Sequence, residues 1–165
     1  MQILDEIGVY GPGLLGISSL YILRDKPRWL FSYIIGYSVN IIIILLLKLL
    51  FRHPRPNQDL QKFYARESKG ITQFDAYGMP SGHAQSTVFS AVYIWFATKN
   101  FWITFIYAIV SFLSMFQRVK YRFHDLLQIT IGTILGTLMA CLTYTYVKRL
   151  IPGRLKEKPD DNGPL

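Results

Sequence analysis

Hydrophobic positions along this chain come in long unbroken blocks. Five stretches carry no Asp, Glu, Lys or Arg: Ile7–Leu23, Trp29–Leu47, Met79–Thr98, Asn100–Gln117 and Leu126–Val147. A bilayer core takes about 20 apolar residues per helix, so four of these fit well. The first is short and carries Gly11-Pro12-Gly13, so it fits least well. The pattern predicts an all-α, polytopic membrane helix bundle with about five transmembrane helices. Buried helices of a soluble protein are the competing reading, and several such runs in 165 residues weigh against it.

The connections refine this picture. Arg24-Asp25-Lys26-Pro27-Arg28 reads as a charged turn in which Pro27 stops the first helix. Trp29 then opens the second at interface level. Pro54 and Pro56 end that helix near Arg52, which leaves Lys48 on its last turns and Arg55 on an extended segment outside. The polar stretch from Asn57 to Gly78 is too long for a simple turn and could serve as a lid. Thr98-Lys99-Asn100 makes the third and fourth segments an antiparallel hairpin. Asn40, in mid-span, is expected to hydrogen-bond across helices, and Gly132, Gly136 and Ala140 are spaced for close helix packing. Residues 1–150 form a single transmembrane domain on this reading, and 151–165 a disordered polar tail.

Composition adds a net charge of +8, read as flanking Lys and Arg at membrane edges rather than as a surface for nucleic acid. Cys141 is the one cysteine, so no intramolecular disulfide can form. Met1–Glu6 has neither the basic lead-in nor the small-residue site of a cleavable signal.

Chemistry concentrates at Gly78-Met79-Pro80-Ser81-Gly82-His83-Ala84-Gln85, where the polar stretch meets the third apolar block. Pro80 suits the first turn of a helix, Gly82 allows close backbone approach, and the unpaired N–H groups of a helix start attract an anion. Ser81 adds a hydroxyl and His83 a titratable proton donor. Counting crossings puts the end of the second segment, the start of the third, the end of the fourth and the start of the fifth on one membrane face. Lys48, Arg55, Ser81, His83, Arg118 and His124 therefore gather there. Positive charge to hold phosphate, and imidazoles to attack or to move protons, suit phosphoryl chemistry. No carboxylate cluster accompanies them, which argues against a two-metal mechanism. Singly, Lys48 and Arg52 read as snorkelling side chains, Arg118, Lys120 and Arg122 as interfacial anchors, and His53 as merely interfacial.

Lys48-x6-Arg55-Pro56, Pro80-Ser81-Gly82-His83 and Arg118-x5-His124 together resemble the three-part signature of the type 2 phosphatidic acid phosphatase superfamily, over roughly residues 29–147. The resemblance implies a membrane lipid phosphatase without metal or other cofactor. It makes His124 the nucleophile of a phosphohistidine intermediate and His83 the acid for the leaving oxygen. Lys48, Arg55, Arg118, Ser81 and the Gly82 N–H would hold the phosphoryl group. Two positions depart from the family pattern: Gln117 stands where serine is usual, and Gln128 where aspartate follows the nucleophile by four residues. Gln128, one helical turn on, can still reach the His124 ring and fix its tautomer, but brings no charge. Asp125 is expected to point elsewhere.

An uncharged orienting group suits a good leaving group, and Gly78–Gln85 with Gln128 is similar to the dolichyl diphosphatase branch. The expected partner is thus a bilayer lipid, a polyprenyl diphosphate cleaved to the monophosphate. A broader phosphatidic acid phosphatase and a non-catalytic phospholipid-binding protein are the alternatives. With Lys48, Arg55 and Arg118 set aside as ligands, the tail's face is the more basic, which puts the C-terminus in the cytoplasm and the site on the lumenal or extracytoplasmic face.

Overall fold

The computed structural model describes residues 3–60, 62 and 76–150. Among the described residues five long helices carry the architecture: α1 (Ile3–Ile22), α2 (Pro27–Phe51), α3 (Gly82–Thr98), α4 (Phe101–Lys120) and α5 (Leu126–Leu150). They follow the five apolar blocks, and the α3–α4 hairpin forms as expected, closed by Asn100, whose side chain accepts from the N–H groups of Trp102 and Ile103. Among the described residues α2, α4 and α5 (over Leu126–Arg149) are long and apolar enough to cross a membrane. Large apolar side chains such as Phe31, Ile42, Leu46, Phe105, Phe112 and Leu142 face outward, as lipid-facing residues do. The chain is an integral membrane protein. α1 and α3 fall outside that set of three, so five crossings are not established by the helices themselves.

α3 is the central helix, with buried residues on every side. It lies closest to α5, because glycines on α5 remove the side chains that would hold the two apart. A Cβ at Gly136 would come within 2.3 Å of the Gln85 carbonyl oxygen, and one at Gly132 within 2.7 Å of that of Ser81. On the other flank the Gln85 amide donates to Asn40 Oδ1 at 2.9 Å, the interhelical bond expected of Asn40. Tyr33 and Ser90 share a hydroxyl hydrogen bond at 2.8 Å, so α2 meets α3 through polar contacts that lipid cannot replace.

α1 packs on α4. Pro12, inside α1, has no N–H to offer the Gly8 carbonyl, and the Ser114 hydroxyl donates to that oxygen instead at 2.7 Å. At the same end the Asp5 carboxylate accepts from Lys120 Nζ at 3.0 Å and from the Tyr121 hydroxyl at 2.8 Å, fastening the start of α1 to the end of α4.

Several local expectations change. α1 begins at Ile3, four residues before the first uncharged block. Pro27 does not stop a helix; it begins α2, where its missing N–H is harmless. Trp29 is buried, stacked on Tyr144, and its carbonyl accepts from Tyr93, so its side chain packs among α2, α3 and α5. Pro80 precedes the N-cap Ser81 and so lies outside the helix it was expected to open. Most of the 57–78 lid stretch (61 and 63–75) and the 151–165 tail lie outside the described residues.

Candidate active site

The Lys48 turn ends α2 in a left-handed Arg52, and the chain then runs out through His53 and Pro54 to a buried Arg55. Arg55 Nη1 donates to the Phe123 carbonyl at 3.2 Å, which ties this segment to the α4–α5 connection. That connection is a tight reversal. The N–H groups of Phe123 and His124 both return to the Arg118 carbonyl, at 2.9 and 3.2 Å, and Arg122 takes a positive φ of 55°. His124 is thereby turned inward beside Arg118, whose guanidinium lies over the Phe123 ring. Ser81 caps α3, leaving Gly82 and His83 on its first turn.

These segments converge on a cavity of about 440 Å³. Lys48, Arg55, Gly82, His83, Arg118, Phe123 and His124 line its polar part, and Val9, Ile44 and Leu45 its apolar part. Six of the eight sequence-predicted site residues thus share one wall space. Ser81 and Gln128 stand behind it. Ser81 is buried, its hydroxyl accepting from the Ala84 N–H and its own N–H donating to the Gln128 carbonyl at 3.2 Å. No carboxylate lines the cavity among the described residues. With three buried cations around it, the space attracts an anion, and its apolar side suits a lipid.

The two imidazoles differ in their settings. His124 Nδ1 lies 3.0 Å from Gln128 Oε1, so Nδ1 carries the proton and Nε2 keeps its lone pair. His83 Nε2 lies 3.0 Å from the Val9 carbonyl oxygen and also against Arg118 Nη2. One nitrogen cannot serve both: protonated it donates to Val9, unprotonated it accepts from Arg118. Val9, on α1, was not legible as a site residue because it contributes through its backbone.

Asp125 caps α5, its Oδ1 accepting from the Gln128 N–H at 2.8 Å, so it points away from His124 as expected. Gln117, the other departure, packs on α1: a Cβ at Gly8 would meet its Cβ at 2.6 Å. His53 corrects its sequence reading, for its Nδ1 is 2.8 Å from Gln128 Nε2. It is a member of the site's surroundings and not simply an interfacial residue.

Burial, and then the positive charge of Arg55, push His124 down to about 3. The sign for stability follows. An unfolded histidine takes up a proton below about 6.5, which buried His124 refuses until near the lower value, so protons favour the unfolded chain across that window. Thermal stability in detergent should therefore fall as pH drops from about 6.5 toward 4, and His124→Gln should flatten part of that decline. An identical slope in the variant would show that His124 is not held neutral.

A family model described as PAP2 superfamily matches residues 29–152. No curated protein and no solved structure matches the chain.

Proposed function

The chain belongs to the PAP2 superfamily, whose activity is that of a phosphatase on lipid-type phosphoesters, and we propose that this member hydrolyses a polyprenyl diphosphate to the monophosphate and inorganic phosphate. The observation that carries the reading is the single cavity uniting Lys48, Arg55, Arg118, His83 and His124 with the apolar Val9, Ile44 and Leu45.

His124 Nε2 attacks the terminal phosphorus in line with the bond to the bridging oxygen. Lys48, Arg55 and Arg118, with the first-turn N–H groups at Gly82 and His83, neutralise the charge gathering on the equatorial oxygens. The phosphoryl group draws the Arg118 guanidinium away from His83, whose Nε2 takes up a proton from solvent, and as the imidazolium His83 protonates the departing bridging oxygen. The lipid monophosphate leaves. The now neutral His83 takes a proton from water as that water attacks phosphohistidine, which releases inorganic phosphate, frees His124 Nε2 and returns His83 to its protonated form. Neither step assigns a role to a metal.

Gln128 favours the diphosphate. Its amide orients His124 but supplies no negative charge to stabilise the imidazolium that forms on attack. A lipid monophosphate is a better leaving group than a lipid alkoxide, so diphosphate cleavage tolerates the weaker nucleophile. The catalytic domain on this reading spans 1–150, since α1 supplies a wall of the cavity through Val9. The cavity opens on the lumenal or extracytoplasmic side, with the C-terminus in the cytoplasm.

Phosphate release from a polyprenyl diphosphate and from phosphatidic acid, each in detergent with chelator, tests the substrate. The expected result is kcat/KM at least about tenfold higher on the diphosphate, the effect of about 1.4 kcal/mol in the barrier. Turnover of phosphatidic acid alone would make the protein a lipid monophosphatase. Turnover of neither would make it a binding protein.

A further inference from the structure

Gln128 is where all three signature segments meet. From the first, the Pro54 carbonyl accepts from Gln128 Nε2 at 2.8 Å, and His53 Nδ1 lies 2.8 Å from the same nitrogen. From the second, Gly78 packs so tightly that a Cβ there would be 2.6 Å from both Nε2 and Oε1. From the third comes His124, on Oε1. Gln128 itself is fully buried.

A glutamine amide can turn over, exchanging its oxygen and nitrogen, and the two forms have opposite effects on His124. With Oε1 toward His124 the ring must donate from Nδ1, and Nε2 is the free nucleophile. With the NH₂ toward His124 the ring would accept at Nδ1, and its proton would sit on Nε2, where it blocks attack. His124 alone cannot decide between them. The far side of the amide decides: it faces a carbonyl oxygen, which only accepts, and the His53 ring nitrogen. Turned over, Oε1 would lie against the Pro54 oxygen. His53 adds a second acceptor for the second amide hydrogen, provided its Nδ1 is unprotonated, and its 3.2 Å approach to the Pro54 oxygen is then a contact between two acceptors.

We propose that His53 is a positioning residue for the phosphoryl transfer, holding the Gln128 amide in the one orientation that leaves His124 Nε2 free to attack. The order of influence is His53, Gln128, His124. Gly78 keeps the amide's space clear. This rests on the phosphohistidine reading above and adds to it a residue at one of the unspecified positions of the first signature segment.

The test measures kcat, KM and the single-turnover rate of phosphohistidine formation on the full chain in detergent. His53→Ala should lower kcat and the formation rate about tenfold, the scale of one lost acceptor beside a buried donor, with KM within about twofold. His53→Asn, whose Oδ1 can occupy the place of Nδ1 and only accepts, should recover to within about threefold of wild type. Gln128→Ala should lose more, about a hundredfold, and His53→Ala added to it should cost nothing further, because the residue acts through that amide. A flat His53 series would overturn the proposal, as would Asn falling as far as Ala, or losses that multiply in the double variant. Wild type that turns over without phosphohistidine would sink the mechanism and the relay together; phosphohistidine with a flat series sinks the relay alone.

Discussion

His124→Ala should abolish phosphate release, with kcat down by about 10⁴-fold or more, while the site still binds inorganic phosphate. The asymmetry follows from the division of labour around the cavity. Lys48, Arg55 and Arg118 are carried by three different segments: the α2 end, the extended segment after it and the α4 end. They keep the anion. Only His124 offers a lone pair at the cavity wall with its other nitrogen already committed. The measurement is turnover of a lipid diphosphate beside the phosphate affinity of the same preparation, expected to change by less than about threefold since the three charge-assisted contacts survive. Retention of even a hundredth of the activity would move the nucleophile elsewhere, and His83 would be the first candidate. Loss of phosphate binding in step with turnover would instead mean that the variant had lost the cavity.

Gly136→Leu should cost the fold. At 2.3 Å from the Gln85 carbonyl, even a methyl group would overlap a backbone atom of the central helix, and a backbone atom cannot swing aside as a side chain can. α3 and α5 would have to part. Their first turns are joined by the Ser81 N–H on the Gln128 carbonyl, so parting them separates His83 from the residues that orient His124. Overpacking of this kind costs about 1–3 kcal/mol or more, and on a chain of this size each kcal/mol is worth about 2–4 °C. The thermal inactivation midpoint in detergent should drop by about 5 °C or more, with a smaller drop for Gly136→Ala. Gly13→Leu is the control, since a Cβ at Gly13 meets nothing within 4 Å. An inactivation midpoint unchanged by Gly136→Leu would mean that the α3–α5 contact is looser than the structure has it.

The chain's linear pattern was sufficient for much of this. Unbroken apolar blocks determine helices, because a backbone in hydrocarbon must satisfy its own hydrogen bonds, and the order of the blocks determines which ends share a face. That is why Lys48, Arg55, His83, Arg118 and His124 could be grouped before any coordinates. Ser81 and Asn100 were legible for the same local reason, as caps that act within a turn of their own position. Small residues at four-residue spacing marked the α5 face that meets α3.

What depends on rotation of one helix about its axis against another was not legible. That α3 and α5 enclose Trp29 could not be read from its place at the start of α2. Val9 enters the site through a carbonyl, which every residue has, and no choice of side chain advertises it. His53 sits among charged residues at a helix end, and only the tertiary structure brings it to the far side of an amide 75 positions away. Tertiary structure alone decides these contacts because each is a distance between groups remote in sequence, and hydrophobic period and capping chemistry carry no information about it.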